Sequence, residues 1–104
     1  MSRKKKEIIA TAKHIRIFEY VLFERDRQEE LLKKGKFQYN AATKGIRAKA
    51  KLPILVEEVG EVAKVINEMS DQGIANDPAE LKKELIQIAA VCFAWIESIE
   101  EDPT

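Results

Sequence analysis

A chain of 104 residues has room for one domain, here residues 1–104, with a thin hydrophobic core. Its 45% hydrophobic content excludes wholesale disorder, and its 35% charged content fits helices with solvated outer faces. The 18 basic and 18 acidic side chains cancel, which removes the electrostatic case for general nucleic-acid binding, although Arg3 to Lys6 and Lys44 to Lys51 are locally basic.

A lone cysteine, Cys92, allows no internal disulfide, and a reducing cytoplasm is the simplest compartment. It sits in an apolar run and reads as a small core residue. The basic start is followed by an apolar stretch that Lys13, His14, Arg16 and Glu19 interrupt, so no signal region is expected. Leu85 to Ile99 is broken by Gln87, Glu97 and Ser98 and is too short to span a bilayer.

Three helices are expected. The first runs from about Lys6 to Lys34, with Ile8, Ile15 and Leu22 at heptad spacing, Ala12 and Phe18 in the same stripe, and Gly35 as its stop. Residues 35 to 50 have no clean period and read as a loop, with room for a helical turn around Ala41 to Ala50. The second helix is expected to start at Pro53, whose fixed φ suits a first turn. Leu55, Val59, Val62, Ile66 and Met69 form its buried stripe, and Gly73 closes it. The third has the best-marked start: Asp77 as N-cap, Pro78 at the first position and Glu80 completing a capping box. It runs to about Glu100, before Pro103.

From Leu85 to Ile96 only Gln87 is polar, so this helix must be buried on every side. Two other helices of one small chain do not surround it easily. The expected architecture is therefore an all-α helical bundle completed by homo-oligomerisation, as a homodimer or homotetramer.

The second helix carries Glu57, Glu58 and Glu61. Glu58 and Glu61 are neighbours on one surface, and the helical angle puts Glu58 beside the buried stripe with Glu57 nearly opposite it. Gly60 between them weakens the helix by roughly 1 kcal/mol relative to alanine, which makes sense where a backbone or a ligand comes close. On the third helix Glu84 shares its face with Ile88, Val91 and Trp95. A carboxylate on so apolar a face is costly unless a lysine, an arginine or a metal compensates it. Acidic pairs on facing bundle helices hold hard divalent ions, and Mg²⁺ favours oxygen ligands, keeps several waters and bridges to phosphates. The same spacing also suits a solvated face or an ion-pair ladder.

At these residues the chain resembles the MazG-like all-α nucleoside triphosphate pyrophosphohydrolases, relatives of the dimeric dUTPases. Their pattern is E-(E)-x-x-E on one helix and E-x-x-D on the next. Glu57-Glu58-Val59-Gly60-Glu61 fits the first half, and Glu84-Leu85-Ile86-Gln87 occupies the second. The run Glu84 to Glu97 and the upstream Glu24-Arg25-Asp26-Arg27-Gln28 are similar to a phage and bacterial MazG-like subgroup. The resemblance implies hydrolysis of a (d)NTP to a monophosphate and pyrophosphate, with Mg²⁺, or Mn²⁺ as the alternative ion. It implies Glu58, Glu61 and Glu84 as metal ligands, Gln87 in the fourth ligand position, and Glu57 or Glu61 as the residue that positions or deprotonates water. Lys51, Lys83 and the Lys44 to Lys49 stretch are its candidates for phosphate contacts. Gln87 stands where the pattern has aspartate. It offers a neutral carbonyl oxygen with one negative charge fewer, which lowers metal affinity and puts turnover in question.

His14, Trp95 and Phe93 read as surface or core residues, whereas the loop aromatics Phe37 and Tyr39 are better candidates for stacking on a base. The leading expectation is a Mg²⁺-dependent nucleotide pyrophosphohydrolase acting as a cytoplasmic homo-oligomer. The alternatives are a bundle that binds nucleotide or a protein partner without turnover, and an interaction module that meets nucleic acid through Lys44 to Lys51.

Overall fold

The computed structural model describes residues 11–37, 39–72 and 78–101. They form three helices, α1 (Ala12–Lys33), α2 (Ala48–Gln72) and α3 (Pro78–Glu101), and no strand. The chain is all-α.

Helix α1 opens on Thr11, whose hydroxyl accepts from the His14 amide at 3.2 Å. The expected start at Lys6 and the stripe residue Ile8 lie outside the described residues. At the other end Gly35 takes φ +73°, its N–H donates to the Leu32 carbonyl, and the Lys36 N–H reaches back to Leu31. This paired closure needs a residue free to be left-handed, which is why a glycine follows Lys34.

The connection to α2 is folded tightly. The Asn40 side chain accepts from the Ala42 amide at 2.9 Å and donates to Glu29 on α1 at 2.6 Å. The Asn40 amide donates to the Thr43 hydroxyl at 3.0 Å. These bonds hold the loop against α1.

Helix α2 begins at Ala48 rather than at Pro53. Alanine and lysine favour helix, so Ala48 to Lys51 extend it backwards, and the Arg47 carbonyl accepts from the Ala50 and Lys51 amides. Pro53 therefore lies inside the helix, where it cannot donate to the Lys49 carbonyl. Helix α3 begins at Pro78, as its sequence signals require, and Glu80 is in its first turn. The Asp77 cap and the Gly73 stop lie outside the described residues.

Helix α3 is the centre. It packs against both α1 and α2, and those two do not pack against each other. Its contact face runs through Glu84, Val91, Ala94 and Ser98, all buried, at helical neighbour spacing. Ala41, Val91 and Ala94 form the core, with Ala42, Ile54, Leu55 and Trp95 packed against it. Trp95 thus belongs to the core. So small a core leaves large apolar groups outside: Ile15, Phe18 and Leu22, expected as a buried stripe, are exposed, as are Val59 and Ile66 of α2 and Leu85, Ile96 and Ile99 of α3. The expectation that α3 is buried all round is not met within one chain. Two polar fastenings secure the helices. Arg25 of α1, 6% exposed, donates to Glu97 at 2.8 Å, and Lys51 of α2, 3% exposed, donates to Ser98 at 2.6 Å. No helix among the described residues is long and apolar enough to cross a membrane.

Candidate functional site

Glu58 on α2 and Glu84 on α3 converge on one side chain, Gln87. Glu84 and Gln87 are three residues apart on α3, hence on one surface, and α2 brings Glu58 across to them. The hydrogen-bonding surroundings orient the Gln87 amide with its NH2 toward the acids. Its nitrogen then donates to Glu58 Oε2 at 3.0 Å and to Glu84 Oε2 at 2.9 Å. Glu84 is buried at 7% exposure and Glu58 is half-buried.

Burial pushes the Glu58 carboxyl above its ordinary range, and repulsion from Glu84, Glu57, Glu24 and Glu61, in that order, adds to it. Glu24 joins this cluster from α1. Nothing in its own segment marks it as a partner of Glu58, because the two helices meet only through their seats on α3. Beside it Arg27 forks onto Glu24, Nε to Oε1 at 2.8 Å and a terminal nitrogen to Oε2 at 2.6 Å. That fork raises the Arg27 pKa further above its ordinary value. Arg27 is thereby fastened to Glu24, and its charge also acts on Glu58, so it offsets part of the negative charge of this cluster.

Next to them lies a cavity of about 260 Å³, lined by Phe37, Tyr39, Arg27, Ile54, Glu57 and Glu58 among others. The Tyr39 hydroxyl donates to the Ala50 carbonyl at 3.4 Å, and the Asn40 turn holds the adjoining backbone. Both loop aromatics singled out in the sequence therefore face the same space as the α2 acids. Glu57 is solvent-exposed, as its helical angle requires, yet it lines this cavity beside Glu58. Glu61 is exposed and is not among the residues around the cavity. Around Gly60 an added Cβ would meet nothing within 4 Å, so the close approach expected there is not made among the described residues.

Lys83 is exposed and lines an open cleft of about 470 Å³ with Lys82, Tyr20, Phe23, Glu24 and Arg27. Lys82 stands over the Tyr20 ring at 4.2 Å. The Glu24–Arg27 pair is the wall shared by this cleft and the cavity. Lys51 is elsewhere. Two helical turns before Glu58, its ammonium is buried against Ser98. Lys44 pairs with Glu101 at 3.3 Å. His14 is exposed, and Cys92 is half-buried.

Among the described residues, no three histidine, cysteine, aspartate or glutamate side chains stand close enough to hold a metal ion. What converges instead is two carboxylate oxygens on the Gln87 NH2, and the amide would offer a third oxygen only with its carbonyl turned inward. Two carboxylates with water are a ligand type that hard cations such as Mg²⁺ accept and soft ions do not. Compared with models of protein families, with curated proteins and with solved structures, the chain matches none.

Proposed function

We propose that the chain is a Mg²⁺-dependent nucleotide pyrophosphohydrolase of the MazG-like kind, converting a (d)NTP to a monophosphate and pyrophosphate. One observation carries the reading: Glu58 and Glu84, from helices far apart in sequence, meet at Gln87 beside a cavity lined by two loop aromatics. Converging acids next to a partly aromatic cavity are a pairing that suits a metal-bridged polyphosphate.

In this reading Glu58 and Glu84 would hold the ion, joined by the Gln87 carbonyl once its amide turns, with Glu61 nearby on the same face of α2 as Glu58. The ion would supply neutralisation of phosphate charge. Phe37 and Tyr39 stack on the base. Lys83, with Lys82 beside it in the cleft beyond the Glu24–Arg27 wall, is the remaining candidate for phosphate contacts in this reading, since the Lys51 ammonium is buried. Glu57, exposed yet lining the cavity, is better placed than Glu61 to accept the proton of the attacking water. The water oxygen joins phosphorus, the phosphoanhydride bond to the pyrophosphate group breaks, and the carboxylate takes the proton.

The exposed stripes of α1 and α3 fit a homodimer or homotetramer that covers them. A cytoplasmic location fits the lone, unpaired Cys92.

The second reading, a bundle that binds nucleotide or a partner without turnover, draws on Gln87. An amide where the family pattern has aspartate leaves only two convergent carboxylates. Pyrophosphate release from a panel of standard and modified (d)NTPs, with and without Mg²⁺, separates the two. Mg²⁺-dependent release that Glu84→Ala abolishes is the expected result. Mg²⁺-dependent binding without release would replace the first reading by the second, and the absence of both would remove the site.

A further inference from the structure

Gln87 lies between two acids, and with its amide oriented by those surroundings its nitrogen is 3.0 Å from Glu58 Oε2 and 2.9 Å from Glu84 Oε2. An NH2 carries two N–H donors, enough for one to each acid. The other end of the same amide is a carbonyl oxygen, and a half-turn about the last side-chain bond exchanges the two ends at almost no change in shape. With no cation between the acids, only the NH2-inward orientation is favourable, because the alternative sets a carbonyl oxygen against two carboxylate oxygens. With a dication between them the preference reverses. The amide hydrogens face positive charge, whereas the carbonyl completes a set of three oxygen donors.

Resting on the magnesium reading above, we propose that Gln87 is a positioning residue that rotates with cation binding, tying Glu58 to Glu84 by its NH2 when no cation is bound and turning its carbonyl oxygen inward when one enters. An aspartate cannot do both. It ligates a cation better, but without one it adds another negative charge to a cluster where Glu84, Glu57, Glu24 and Glu61 already bear on Glu58. Glutamine therefore keeps the α2–α3 seam assembled ahead of the ion and accepts weaker binding in return. The two consequences have opposite signs. Gln87→Asp lowers the melting temperature in EDTA and enlarges the rise in melting temperature that Mg²⁺ produces.

The test follows the amide itself. In the 15N–1H spectrum of the full chain, the Gln87 NH2 pair is the one absent from Gln87→Leu. In EDTA it should exchange slowly with water. Titration with MgCl2 should move the pair in a saturable way and speed its exchange. Suppose Mg²⁺ raises the melting temperature, and Glu84→Ala abolishes that rise, while the Gln87 pair stays still. The rotation is then overturned and the magnesium site stands. Should Mg²⁺ change neither the melting temperature nor any resonance, the magnesium reading fails and the rotation fails with it. Gln87→Asp adds an arm that needs no resonance assignment: a variant as stable as the parent in EDTA overturns the tying role.

Discussion

Lys51 and Ser98 meet across 47 residues of sequence, the ammonium donating to the hydroxyl at 2.6 Å while that hydroxyl donates to the Trp95 carbonyl at 2.7 Å. Both side chains are buried, so the contact fastens the start of α2 to the end of α3. We expect Ser98→Ala to destabilise the fold by roughly 1–3 kcal/mol, the range for removing one partner of a buried polar pair. Denaturant unfolding at constant m-value checks it. Nucleotide affinity of the folded Ser98→Ala protein should stay unchanged, since the contact lies two turns from Glu58.

Arg25 performs the matching task for α1. Its guanidinium is buried, but Glu97 keeps more than a third of its side chain in water, which screens the pair. Arg25→Met, which keeps the apolar stem, should therefore cost about 1–2 kcal/mol rather than the larger figure of a fully buried pair. Thermal unfolding of Arg25→Met beside Glu97→Gln measures it.

Glu58 gives a pH dependence of definite sign. A carboxyl whose folded pKa is raised binds more protons folded than unfolded, so its contribution falls as pH rises from the unfolded value through the folded one. Glu58→Gln removes that penalty and still offers a carbonyl oxygen to the Gln87 NH2. In EDTA the variant should be more stable than the parent at neutral pH, with the advantage vanishing below the unfolded carboxyl range. Paired melts across pH 3 to 8 (roughly the span over which carboxylates titrate) decide it; a constant difference would show that charge on Glu58 is not the cause.

Phe37 tests the cavity. If it stacks on a base, Phe37→Ala should weaken nucleotide binding roughly 5- to 150-fold, the equivalent of 1–3 kcal/mol per stacked base. Mg²⁺ binding in the absence of nucleotide should be unaltered. Isothermal titration with each ligand separates the two effects.

Gly60→Ala probes what lies outside the single chain. With open space around it, alanine should stabilise the helix by up to about 1 kcal/mol. If a second copy covers this face, the same change should weaken self-association in sedimentation equilibrium.

Much of the architecture was legible because it rests on local chemistry. Pro78 marks the start of α3, Gly35 supplies the left-handed closure of α1, and Glu58 falls at the seam by its helical angle. The start of α2 was misplaced because Pro53 announces a first turn loudly, while Ala48 to Lys51 extend a helix without any such marker. The stripe of Ile15, Phe18 and Leu22 was visible as a pattern, but periodicity does not say whether one's own chain or another covers it. The place of Glu24 beside Glu58 and the burial of Lys51 against Ser98 were missed for a different reason. Their partners, Glu58 and Ser98, are far away in sequence, and spacing along one helix carries no information across helices.

The separate seating of α1 and α2 bears on what the cavity accepts. Phe37, Tyr39 and Arg27 stand on one side of it and Glu57 and Glu58 on the other, and no helix-to-helix packing fixes the gap between them. The gap is closed instead by the loop, whose Asn40 side chain donates to Glu29 of α1 and whose Tyr39 hydroxyl donates to the Ala50 carbonyl of α2. The width of the cavity therefore depends on those two loop side chains as well as on the seats of α1 and α2 on α3 at Glu97 and Ser98.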